Sequence, residues 1–193
     1  MEQPSSSSSP PPSPSSSSPE TAFISGPLET GSDASYFHTH YVPRINEAIS
    51  RGDHFVIGPT PHGVDANALG YLLAYPISPS RITIFVTPLE DEMWGDRFRK
   101  LNVNLHVLQG DTNPTARDRD AAMTAASSYD ILRWRTRNEA RAFYGARFTE
   151  GFVTNTERNW RRRTGISEAV VVQGAEGEME VVGEQKAKAP CLS

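Results

Sequence analysis

The chain has 193 residues, and 19 Lys and Arg against 23 Asp and Glu leave a formal net charge of −4. That balance argues against a nucleic-acid partner, which calls for a basic excess to neutralise phosphates. The sole cysteine, Cys191, can form no internal disulfide, and no run approaches the roughly 18 apolar residues of a membrane span or the apolar stretch of a secretory signal. The expectation is a cytoplasmic protein, with the nucleus not excluded, no membrane contact, and homo-oligomerisation left open.

From Pro4 to Pro19 nearly every residue is serine or proline, so residues 1–20 are predicted to be a disordered leader with nothing to bury. Residues 21–165 are predicted to form one α/β domain, about 145 residues long and able to bury a real core. Residues 166–193 mix Gly, Glu, Ala and Lys around Val170–Val172 and Val181–Val182, which predicts a disordered tail or a marginal hairpin.

Within the domain, short apolar runs end in Gly or Pro loops. Ala22-Phe23-Ile24 leads to Ser25-Gly26-Pro27, Phe55-Val56-Ile57 to Gly58-Pro59, and Ile82 to Val86 to Thr87-Pro88. Leu105, Val107 and Leu108, then Ile131, Leu132 and Trp134, supply two further strands. Continuous apolar runs mark strands buried on both faces, the condition of a parallel sheet covered by helices. The segments between read as helices over 34–50 (kinked near Pro43), 64–74, 90–101, 116–128, 137–144 and 155–164. Three helix starts pair a threonine with an acid three residues on: Thr115 with Asp118, Thr136 with Glu139 and Thr154 with Glu157. The aspartate is expected to fit this reciprocal cap less well than the glutamates. The fold predicted is a single Rossmann-like, doubly wound, mainly parallel sheet of about five strands.

Such sheets bind ligands outside the carboxyl ends of their strands. Ser25 and Gly26 follow the first strand, and Gly58, Thr60, His62, Gly63 and Asp65 follow the second. Glycines at a strand-to-helix turn let a ligand approach the backbone and leave helix amides facing an anion, though they also serve a tight connection. His62 is the one histidine read as functional. Arg117, in the run Arg117-Asp118-Arg119-Asp120, is predicted to reach the crevice and fork onto a phosphate. If a carboxylate is catalytic, Asp65 and Asp91 are best placed, with Glu29 behind them. Trp94 and Trp134 are expected to cover the sheet edge. His38 and His40 are two apart, the wrong spacing for a metal pair on a helix, and neither a metal nor a cofactor is expected.

The segment Phe55-Val-Ile-Gly-Pro-Thr-Pro-His-Gly-Val-Asp-Ala-Asn-Ala-Leu resembles the strand, glycine-rich loop and following helix of the Rossmann-like superfamily that unites DNA-processing protein A with the lonely-guy phosphoribohydrolases. Phe23-Ile-Ser-Gly-Pro-Leu resembles the opening of the related nucleoside deoxyribosyltransferases, and the domain as a whole is similar to small proteins frequent in filamentous fungi. Thr154 to Asn159, ahead of Arg161 to Arg163, partly resembles a "Gly-Thr-x-x-Asn" phosphate turn, with Asn155 in place of the glycine. The resemblance implies a nucleotide or nucleoside-phosphate ligand. The "Pro-Gly-Gly-x-Gly-Thr-x-x-Glu" loop of the lonely-guy enzymes has no counterpart, so binding leads as the expectation. A nucleoside glycosidase or deoxyribosyltransferase and a non-catalytic scaffold are the alternatives.

Overall fold

The computed structural model describes residues 18–110 and 113–166; all of the predicted leader but its last residues, and all of the predicted tail but its first, lie outside them, with both valine runs. Five strands form one sheet: β1 (Thr21–Ser25), β2 (His54–Ile57), β3 (Ile82–Val86), β4 (Asn104–Val107) and β5 (Tyr129–Leu132). All neighbours are parallel, in the order β4-β3-β2-β1-β5. The helices are α1 (Ser35–His40), α2 (Val42–Arg51), α3 (Gly63–Ala74), α4 (Pro88–Lys100), α5 (Ala116–Ala125), α6 (Arg137–Tyr144) and α7 (Asn155–Thr164). This is a Rossmann-like fold. The helix predicted over 34–50 divides at Tyr41, one residue before the proline-containing first turn of α2, where proline's missing N–H costs nothing.

The strand order explains the two faces. The chain steps from β1 outward to β4, then returns past its start to lay β5 beside β1. Crossovers of one hand keep successive helices on one face while the chain moves one way and switch face when it reverses. One face accordingly packs Ala22, Ile24, Phe55, Ile57, Ile82, Ile84 and Ile131 under Phe37, Ile45, Val64, Leu72 and Phe98 from α1 to α4. The opposite face is smaller, with Phe23, Val56 and Phe85 under Met123 of α5. Trp94 packs against the larger core, while Trp134, just past the edge strand β5, meets Trp160 of α7 at 5.5 Å.

Capping follows the threonine pattern. Thr115 and Asp118 form a complete reciprocal cap, as do Thr136 and Glu139. Asp118 Oδ2 lies 2.7 Å from the Thr115 amide, so the shorter aspartate reaches as well as the glutamate. At α7 Thr154 accepts from the Glu157 amide, but Glu157 turns to Arg161 instead of reaching back. A third complete box, unread in the sequence, joins Thr87 and Glu90 at α4.

Candidate functional site: a polar cluster over the strand ends

Where β1, β2 and β3 end, on the face covered by α5 and α7, polar side chains converge. Ser25 shares the parity of Phe23 and points to the same face; its Oγ accepts from Asn159 Nδ2 of α7 at 3.1 Å. The loop after β2 delivers Thr60 and then Asp65 in the first turn of α3, and Asp65 accepts hydrogen bonds from the Thr60 side chain and backbone. From β3 comes Glu90, whose two oxygens divide their work: Oε2 accepts from the Thr87 amide to cap α4, and Oε1 takes Arg119 of α5. Arg119 also donates to Asp120 at 3.0 Å. Asp120 is hydrogen-bonded to Asn159, and Arg162 donates to Asn159 Oδ1 at 2.8 Å. Thr156 and Asn159 form the buried face of α7.

The electrostatics single out Asp65. Loss of hydration pushes its carboxyl up to about 6, against the opposing pull of the Thr60 hydrogen bonds and the Arg119 charge. Burial likewise raises Asp120, although Arg119 and Asn159 favour its ionised form. Arg119 is divided between Glu90 and Asp120, and its buried Nε donor has no hydrogen-bond partner. A carboxyl poised near neutrality beside a fixed guanidinium can donate to or accept from a hydroxyl, or pass a proton, at physiological pH.

The predicted residues fall into two groups. Ser25, Gly58 and Asp65 are in this cluster; a β-carbon on Gly58 would lie 2.6 Å from Asp65 Oδ2. Gly26 and Gly63 instead admit the protein's own atoms. A β-carbon on Gly26 would meet the Tyr41 hydroxyl and Val64 at 2.4 Å, and one on Gly63, which has φ +71°, would meet the Leu28 and Pro27 backbone at 2.6 Å. The Val64 amide of α3 donates to the Pro27 carbonyl at 3.1 Å, so the loop after β1 caps the helix end that sequence offered to a phosphate. His62 stands exposed ahead of α3. Arg117 is exposed on α5, and the arginine turned into the cluster is Arg119. Asp91 faces along α4 to Arg99, which it binds through both oxygens at 2.7 and 2.9 Å. Glu29 is exposed.

Helical phase could have separated the arginines. Met123 is the apolar anchor of α5, and residues three and four positions before it, Asp120 and Arg119, must share its face, whereas Arg117 cannot. Asn159 lies in the phosphate-turn-like segment, yet its link to Ser25 spans 134 positions and leaves no local trace. The chain matches no protein-family model, no curated protein and no solved structure. Among the described residues no group of His, Cys, Asp and Glu could hold a metal ion, and no helix is long and apolar enough to cross a membrane.

Proposed function

We propose that this domain binds a nucleoside or nucleotide over the carboxyl ends of β1 and β2, with Asp65 taking a ribose hydroxyl. The reading rests on one observation: side chains from separate strand-end segments and from α5 and α7 meet around a carboxyl held near neutrality. Convergent polar groups with perturbed ionisation, at the ends of parallel strands, are the physical signature of a binding or catalytic crevice. The resemblance of the Gly58 to Asp65 loop to nucleotide-binding Rossmann-like domains supports the ligand class. The geometry favours the sugar over the phosphate as the part recognised here, because Arg119 is already neutralised and the Val64 amide in the first turn of α3 is taken. Thermal unfolding of the full chain with a panel of nucleosides and their 5′-monophosphates tests this. A compound at a hundred times its dissociation constant stabilises by about 2.7 kcal/mol; the absence of any shift across the panel would leave the scaffold reading in its place.

A second reading is favoured by the pairing of Asp65 with Asp120, both raised by burial. A protonated Asp65 could pass its proton to the departing base as the C1′–N bond breaks, with water or a second base closing on C1′ and giving its own proton back to the Asp65 carboxylate. Chromatographic detection of free base from nucleosides at pH 6, lost in Asp65→Asn, is the expected result if this chemistry occurs.

A further inference from the structure

We propose that a groove between α1 and α6 is a second small-molecule site, for a planar aromatic or heteroaromatic ring bearing one anionic group. The groove has a volume of about 500 Å³, within the usual range for small-ligand sites. It lies where the segments following β1 and β5 face each other, the point at which the strand order reverses. Its walls are Tyr36 and His40 of α1, Ala142 and Phe143 of α6, and Arg135 from the loop between β5 and α6.

Arg135 makes the groove selective. Its guanidinium lies 3.8 Å from the centre of the Phe143 ring and 4.5 Å from that of Tyr36, so two rings flank it. Of its five donors, one meets the Glu29 carbonyl at 2.6 Å and another the Tyr144 hydroxyl at 3.5 Å. No carboxylate among the described residues pairs with it, because Glu139, the acid that lines the groove, is bound by Arg133 at 2.6 Å and by the Thr136 amide at 2.8 Å. His40 adds no charge at neutral pH, since loss of hydration and then repulsion by Arg133 lower its affinity for a proton. The groove thus carries one uncompensated positive charge with aromatic surface beside it. A guanidinium edge offers an anionic oxygen a charged, forked set of donors, and a flat ring covers Tyr36, His40 and Ala142 at little conformational cost.

Titration of the ¹⁵N-labelled full chain with 2-naphthoate, and with neutral 2-naphthamide of the same shape, tests the site. Saturable shifts of the Tyr36, Arg135 and Phe143 amides are expected with naphthoate, and roughly tenfold weaker binding with the amide, the scale of one charged hydrogen bond. Arg135→Gln should bring naphthoate down to the level of the amide. Ala142→Trp places bulk on an exposed, groove-lining position without removing a contact; it should abolish binding at an unchanged melting temperature, and it decides the matter if Arg135→Gln unfolds. Asp65→Asn should leave naphthoate binding intact, which separates this site from the strand-end cluster. Equal affinity for the two probes, no saturable shift, or undiminished binding by Ala142→Trp would overturn the proposal.

Discussion

Gly58 lies against Asp65 so closely that its missing side chain is what gives the carboxyl its place: a β-carbon there would sit 2.6 Å from Oδ2. Gly58 has no positive φ, so alanine is acceptable to the backbone and the clash is the whole effect. Gly58→Ala should displace the carboxyl and cost about 1–3 kcal/mol, the usual range for overpacking. Chemical unfolding measures the loss. A variant as stable as the parent, with Asp65 still titrating near 6, would show that the loop opens freely.

Asp65→Asn tests the ionisation. The folded-state value of about 6 lies above the ordinary 3.8, so the folded protein resists losing the proton. Its stability should therefore fall as pH rises from about 4 to 6 and stay level above that. Asparagine removes this penalty, worth roughly 2–3 kcal/mol at one to two units of pH above the folded value. The variant should be more stable than the parent at pH 7.5 and close to it at pH 4. Urea unfolding at both values gives the comparison, and a variant weaker at pH 7.5 would mean that the Thr60 hydrogen bonds to the carboxylate outweigh its desolvation.

Arg119 and Arg117 should behave in opposite ways. Arg119→Ala leaves Glu90 and Asp120, whose side chains are 17 and 11% exposed, without the guanidinium that both of them bind. The expected loss is about 3–5 kcal/mol. Arg117→Ala, on the exposed side of the same turn, should stay within about 0.5 kcal/mol. Similar effects from the two would contradict the phase of α5.

Tyr41 links the segments behind the cluster. Its fully buried hydroxyl lies 3.0 Å from the Ser25 carbonyl and 2.8 Å from that of Arg133, and accepts from the Arg133 amide at 3.0 Å. Tyr41→Phe should cost about 1–3 kcal/mol, because it strands buried backbone groups. Faster hydrogen exchange at Arg133, measured by NMR, would accompany it. Unchanged protection there would show that water replaces the hydroxyl.

The strands and helix starts are legible in the chain because each depends on neighbours in sequence: continuous apolar runs, and a threonine three residues before an acid. Even there, Asp118 completes a cap that its length argued against. Ser25, Gly58 and Asp65 are legible as strand-end residues. What Gly26 and Gly63 accommodate is not, since a glycine looks the same whether a ligand or another loop presses on it, and here Tyr41 and Leu28 do so. Glu90 reads as a favourable charge at a helix start, and nothing local reveals that its second oxygen holds Arg119.

Strand β1, the first among the described residues, is closed on one side only by β5, the last among them, and Ser25 meets its partner Asn159 across 134 positions. Contacts so distant in sequence form late, because the intervening loop must first be ordered. A chain emerging from the ribosome can pair β1 through β4 while the other edge of β1 stays bare, an open template for another molecule's strand until residue 132 arrives. The cluster is completed after that, when α7 docks. Premature termination before Asn155 would therefore yield a sheet that can still form, with Ser25 unpartnered and no floor beneath Asp120.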